Sequence, residues 1–207
     1  MYSEAKSLTK PAIERLARRG GVRRLAGDAS QYARELMITF LEEILRRAYL
    51  YNDFKDKIKL EPISIVLALR SSPYNIKLVA GLDGTSRGDI RGNIVKMSGG
   101  AGDKRKGGGG ENILKEIRKL QKTSDLIIPA QSFERLCRQI VEEYIGKDSN
   151  KIMFKPNALL ILRDALESYI VRTFDVAQRT AIHAKRITTT AEDMKMVQHV
   201  RGFKCRF

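Results

Sequence analysis

The feature that most constrains the fold is a long apolar helical face with no cover inside its own segment, and it occurs twice. Ala33, Leu36, Met37, Phe40, Leu41, Ile44, Leu45 and Ala48 recur at spacings of three and one, which places them on one side of an α-helix. Asp28, with Gln31 three residues on, reads as a capping box that opens this helix, and it runs to about Phe54. At 1.5 Å per residue the helix would be about 40 Å long. Pro156 opens a second one, with Leu159, Leu162, Leu166, Tyr169, Ile170, Phe174, Ala177 and Ala181 on one face.

Each long helix is flanked by two short ones. Before the first, Thr9 is placed to cap and Pro11 fits a first turn, while Ile13, Leu16 and Ala17 form a stripe that Gly20-Gly21 ends. After it, the basic segment Lys55–Lys59 leads to Pro62 and a short helix ending near Pro73. Ser132 precedes the other unit's first helix, whose stripe is Phe133, Leu136, Cys137, Ile140, Val141 and Tyr144. Thr190, with Asp193 three residues on, caps a last helix through Met194, Val197 and Val200. One plan thus appears twice, about 125 residues apart. Neither long helix can fold back on itself, so the two units are expected to bury their stripes against each other.

Between them, residues 81–110 hold eleven glycines and the triplet Lys104-Arg105-Lys106, the composition of a flexible, solvated linker. An extra helix, Glu111 to Lys122, precedes the second unit, with Ile113, Leu114, Ile117 and Leu120 as its apolar side. Tyr74, Ile76 and Leu78 alternate with polar residues, so a short strand is expected after the first unit.

Charge points to a partner. Lys and Arg number 39 against 24 acids, a formal charge of +15. Residues 1–110 carry 21 bases and 12 acids, and residues 111–207 carry 18 and 12, so both halves are basic. Such an excess attracts a polyanion, and two basic halves suit two binding modules. Trp is absent and Phe plus Tyr total 14, which leaves few stacking surfaces for single-stranded nucleic acid or RNA. No apolar run approaches the roughly 20 residues that span a bilayer, and Met1–Ser7 lacks the apolar stretch of a secretion signal, so neither a membrane partner nor secretion is expected.

No chemistry of catalysis stands out. His183 and His199 have no Cys or His at ligand spacing, and Cys137 and Cys205 sit in unrelated contexts, so neither a metal nor a disulfide framework is expected. The glycine-rich segment has no Gly-Lys-Ser/Thr ending and is not a phosphate loop of that kind. With no cofactor fingerprint, paired carboxylates or nucleophile grouping, the chain reads as a non-enzyme with no cofactor.

Lys10-Pro11-Ala12-Ile13, then Arg15-Leu16-Ala17-Arg18-Arg19-Gly20-Gly21-Val22 and Arg23-Arg24, resembles the start of the histone-four fold. Lys115-Glu116-Ile117-Arg118-Lys119-Leu120-Gln121-Lys122 resembles the helix that precedes the fold in histone three, and Ala181–Thr188 resembles the end of its long helix with the following loop. The chain therefore resembles a histone four–histone three doublet, of the fused kind known in large double-stranded DNA viruses. The resemblance implies an all-α protein of two short-long-short histone folds in tandem, paired head to tail. The units would be 8–80 (histone-four-like), 81–110 (linker) and 111–202 (histone-three-like, with its preceding helix).

The resemblance also implies a function: a core histone doublet that wraps and compacts double-stranded DNA in a nucleosome-like particle through sequence-independent phosphate contacts. Arg23 and Arg24 would sit beside Lys185, Arg186 and Thr188 at one end. Lys57 and Lys59 would sit beside Lys151 and Lys155 at the other. Helix N-termini near Lys10 and Ser132 would meet between them, and Arg15, Arg18, Lys115, Arg118, Lys122 and Arg135 complete the implied DNA-binding set. His183, Arg186 and Asp193 would join a second copy, with Ile182, Met194 and Val197 around them. A doublet resembling histones two-B and two-A would complete the particle by docking near Tyr49, Tyr51 and Tyr74–Leu78. The implied location is a virion, a viral replication site or a host nucleus.

Several positions depart from the pattern. Seven residues stand where histone four has a basic tail, the linker replaces the tail of histone three, and Glu14 stands where a base is usual. Met153 takes the place of the family's inserted arginine, which implies weaker DNA binding at that loop. A histone-fold transcription regulator that bends DNA without building nucleosomes is the competing reading; it would lack both the extra helix and the His183–Asp193 combination.

Overall fold

The computed structural model describes residues 8–53, 59–74, 109–123, 125–145 and 153–202. Helices α1 (Lys10–Arg19), α2 (Gly27–Asp53) and α3 (Pro62–Ser71) precede α4 (Gly109–Lys122), α5 (Ala130–Ile145), α6 (Pro156–His183) and α7 (Ala191–Val200). Among the described residues, four strands of two residues each lie in the loops: β1 (Arg24–Leu25), β2 (Lys59–Leu60), β3 (Met153–Phe154) and β4 (Thr188–Thr189). The described chain is mostly helical, and the order short, long, short holds for α1–α3 and again for α5–α7. The expected linker, the strand after Tyr74, and the basic residues Lys57 and Lys151 lie outside the described residues.

The helix ends show where local signals were overridden. Thr9 occupies the N-cap of α1 with Pro11 in the first turn, yet its side chain makes no capping bond. The box expected of Asp28 and Gln31 does not form: α2 starts at Gly27, and Gln31 turns to Glu35 at 3.4 Å. Asp28 instead accepts the Ala29 N–H at 2.8 Å through one oxygen and the Ala191 N–H of α7 at 3.3 Å through the other. One carboxylate thus serves the first turns of two helices, where backbone N–H groups lack partners and anions are favoured. Ser132 lies inside α5, which begins at Ala130. Thr190 and Asp193 do form the expected capping box on α7.

Packing answers the problem posed by the two uncovered faces. α2 packs against α3 of its own unit and against α5 and α7 of the other, while α6 packs against α7 and also against α1 and α3. Each long helix is therefore covered largely by short helices belonging to its counterpart. Met37, Phe40, Leu41, Ile44, Leu136, Leu162, Leu166, Ile170 and Phe174 are fully buried in one continuous cluster. At its centre Phe40 stacks on Tyr169 with ring centroids 4.8 Å apart, and Tyr74 meets both rings edge-on or tilted at 4.8–4.9 Å. A core drawn from both units leaves neither with an interior of its own.

The loops register the two halves. β1 lies parallel to β4, with Arg24 opposite Thr188 and Leu25 opposite Thr189. β2 lies parallel to β3, with Lys59 opposite Met153 and Leu60 opposite Phe154. The Ala26 N–H donates to the Thr189 carbonyl at 3.0 Å, and the Lys155 N–H to the Leu60 carbonyl at 3.3 Å. The first loop of each unit meets the second loop of the other, which is the head-to-tail arrangement.

Gly20 marks a close crossing. A Cβ there would fall 2.8 Å from the Phe174 Cβ and 3.0 Å from the Val171 carbonyl oxygen, so α1 approaches α6 through a position with no room for a side chain. The next residue, Gly21, turns the chain with φ of 88°, a left-handed conformation that favours glycine.

Two outcomes are expected. Gly20→Ala should destabilise the protein by about 1–3 kcal/mol, the usual effect of overpacking, and Gly27→Ala, where a Cβ meets nothing within 4 Å, serves as control. Thermal melts of both variants measure this. A protease site placed at 107–110 should, once cut, yield two pieces that remain together on a sizing column, because each piece alone would expose its long helix.

Candidate nucleic-acid interface

Parallel pairing of the loops brings basic residues from distant parts of the sequence to each end of the molecule. At the β1–β4 end, Arg23, Arg24, Lys185 and Arg186 are exposed and Thr188 is half-buried. The outward residues of the pair are Arg24 and Thr188, while Thr189 turns inward and its hydroxyl donates to the Gln178 amide oxygen at 2.7 Å. Lys185 holds φ at 57°, an uncommon backbone for a residue with a side chain, at the turn that ends α6. Guanidinium, ammonium and hydroxyl groups presented together suit a phosphate oxygen.

Arg18, beside this cluster, and Arg186, within it, also have structural duties. Arg18 donates to the Arg23 carbonyl at 2.7 Å and lies 3.8 Å from Glu116 of α4. Arg186 binds Asp193 through both terminal nitrogens, at 2.6 and 3.1 Å. Burial opposes the charge on Asp193, but Arg186 and the Thr190 N–H and hydroxyl outweigh it and hold the carboxyl below its ordinary value.

At the β2–β3 end, Lys59 and Met153 point outward while Leu60 is buried and Phe154 half-buried. Lys155 is exposed, but its ammonium pairs with Glu61 at 2.9 Å, so part of its charge is neutralised locally. Among the described residues this end is less basic than the other. Lys10 and Arg15 are exposed on α1 and Arg135 on α5; Lys115, Arg118 and Lys122 are exposed on α4, which packs against α1.

Sequence reasoning missed the group that ties these parts together. Glu167 of α6 is buried and accepts the Ile127 and Ile128 N–H groups at 2.7 and 2.8 Å. It also pairs with Arg19 of α1 at 3.3 Å, and Arg19 in turn donates to the carbonyls of Leu120 and Asp125. Arg19, within the stretch that resembles the start of the histone-four fold, is thus turned inward to fasten the α4–α5 connection to the other unit. Burial raises the Glu167 carboxyl to about 7, against the lowering influence of those two N–H groups, Arg19 and Arg163. The available signal was an acid inside the apolar stripe of α6, between Leu166 and Tyr169.

The self-association residues are placed at the end of α6 and the start of α7. His183 is exposed, whereas Asp193 is buried under Arg186 and its own helix cap. Met194 and Val197 are buried in the protein's own core and are not the apolar surround read for that face; Ile182, Ile187, Met196 and Val200 are exposed apolar residues there. Met196 and Val200 stand four apart on one side of α7.

Comparison with known families adds one finding. Residues 109–200 match the family model of the core histone domain, the domain of histones two-A, two-B, three and four. The match begins with α4 and ends with α7, so it supports a histone fold there and a DNA-associated, histone-like role. Among the described residues no helix is long and apolar enough to cross a membrane.

Two measurements follow from the geometry. The folded protein raises the Glu167 pKa above its ordinary 4.5, so this group favours folding below that value and loses the contribution as pH rises through about 7. The difference is on the order of 3 kcal/mol. Urea denaturation of Glu167→Gln beside the natural protein should show the variant gaining relative stability by up to that amount between pH 5 and 8.5. Separately, Arg24→Ala should weaken binding to every duplex about equally and reduce the slope of log K against log salt by roughly one.

Proposed function

We propose that the chain is a fused pair of histone folds, a histone-four-like unit followed by a histone-three-like unit, that wraps and compacts double-stranded DNA in a nucleosome-like particle. The observation that carries this reading is the parallel pairing of loops from opposite units at both ends of the molecule. With α5–α7 in the segment that matches the core histone domain, α1–α3 repeat its short-long-short order and cross-cover it. The pairing gathers Arg23 and Arg24 with Lys185 and Arg186 at one end, and Lys59 with Lys155 at the other. Charges on a rigid frame that carry no base-reading geometry hold the phosphate backbone and bend the duplex without sequence preference; the histone octamer is the general example of such binding.

In this reading two copies join through the α6–α7 corner. Ile182, Ile187, Met196 and Val200, each more than half exposed, are the apolar surface a second copy would cover, with the exposed His183 beside them near a two-fold axis and Asp193 holding Arg186 within its own chain. A doublet resembling histones two-B and two-A would complete the particle by docking near the end of α2. Leu50 there and Ile63 at the start of α3 are nearly half exposed. The site of action would be a viral particle or replication site, or a nucleus.

Nuclease digestion of the complex on long DNA tests the reading. A wrapped particle, with the partner doublet present, leaves a protected fragment of uniform length; progressive digestion with no protected length would overturn it. His183→Ala should reduce the mass of the assembly to a single doublet in sedimentation while helical content is unchanged. His183 is the cleaner choice for that experiment, because Asp193 also holds the α7 cap.

A further inference from the structure

Three charged side chains converge on the connection between α4 and α5. Glu167 of α6 accepts the N–H groups of Ile127 and Ile128 at 2.7 and 2.8 Å. Arg163, one turn earlier on the same helix, donates to the Ile128 carbonyl at 3.3 Å. Arg19 of α1 pairs with Glu167 at 3.3 Å and donates to the carbonyls of Leu120 and Asp125 at 3.3 and 2.6 Å. The end of α4 and the residues after it are thus fastened, through their backbone, to helices of both units. This joint holds a conflict. An ionised Glu167 gains from two N–H groups and two guanidiniums, but it is buried and has lost its water. Burial outweighs the gains and raises the carboxyl to about 7. Of the neighbouring acids, Asp164 acts on the Arg163 guanidinium, and Asp125 meets Arg19 through its carbonyl.

We propose that this joint is a pH-sensitive latch: with Glu167 protonated the α4–α5 connection is held closed, and as Glu167 ionises the connection opens and water reaches the carboxylate. The backbone that Glu167 binds is also what covers it, so detaching Ile127 and Ile128 exposes the acid. In the open form the carboxyl faces water and returns to its ordinary value near 4.5. The closed form therefore holds the proton more tightly than the open one. Its advantage is fully present below that ordinary value and is lost as pH rises through about 7. Ile128 is buried in the shared core, and Ile117 is buried on α4, which packs against α1. These apolar contacts oppose opening equally at every pH, so they keep the opening local and leave the pH response to Glu167. What the latch controls is the anchorage of α4, the helix on which Lys115, Arg118 and Lys122 are exposed.

Hydrogen exchange of the Ile127 and Ile128 amides, followed by NMR on the full chain, reads the latch directly. After correction for the base-catalysed exchange rate, protection of both amides should fall by roughly ten- to a hundredfold between pH 5 and 8.5. Low urea separates this opening from global unfolding. A local opening exposes little surface and should respond weakly, whereas amides of the α2 core around Phe40 should respond steeply. Glu167→Gln keeps the shape and one acceptor but cannot ionise, so its protection at Ile127 and Ile128 should be the same at both ends of the pH range. Flat or rising protection in the natural protein would overturn the latch. So would a pH response that persists in Glu167→Gln, or a urea response at Ile127 and Ile128 equal to that of the core. If Glu167→Gln does not fold, the NMR shift of the Glu167 carboxyl carbon in the natural protein takes its place. A carboxyl midpoint that coincides with the fall in protection supports the latch, and a midpoint elsewhere overturns it.

Discussion

Everything in this structure depends on how two apolar helix faces, each about 40 Å long, are removed from water. Neither α2 nor α6 can be covered by what flanks it alone. The solution is exchange: α1 and α3 lie on α6, and α5 and α7 lie on α2. Once that exchange is made, the connecting loops have no choice of position. Each is carried to the end of the opposite long helix, where it meets a loop running in the same direction and forms a two-residue parallel pair. The clustering of basic residues at both ends is thus a by-product of core burial, fixed by hydrophobic packing and not by attraction between like charges.

Polar groups make the exchange specific. Asp28 reaches from the start of α2 to the first turn of α7, Thr189 is held by Gln178 beneath the β1–β4 pair, and Glu167 binds both Arg19 of the other unit and the connection before α5. A buried carboxylate with a raised pKa is not a cheap way to join elements. Three donors from two separate segments nevertheless admit one relative placement of α1, α4 and α6, whereas apolar surfaces alone would tolerate sliding. Gly20 adds a steric condition to the same joint.

Much of this was legible in the sequence because it is periodic. The stripes of α1, α2, α5, α6 and α7 and the Thr190–Asp193 cap were readable from spacing alone; that the two units cover each other followed from two faces that needed covers, and the end-to-end direction was implied by the resemblance. What escaped was whatever depended on a neighbour distant in sequence. Asp28 looked like a local cap for its own helix, and only the arrival of Ala191 shows a second use. Arg19 stands beside Arg18 with nothing in the sequence to set its inward turn apart, and Met194 and Val197 looked available to a second copy although their own core takes them. The repeating face tells that a side chain is apolar; it does not tell which of two apolar surroundings it will enter.

The central claim, that the halves of one chain pair end to end with each loop beside the other unit's loop, has a direct covalent test. Cysteines placed at Arg24 and Thr188, which are opposite each other in the β1–β4 pair, should close a disulfide under mild oxidation. The account expects this bond to form within a single chain, at a rate independent of protein concentration and with faster migration on a non-reducing denaturing gel. A bond that forms only between chains and fades on dilution, or none at all while the protein stays folded, would contradict it.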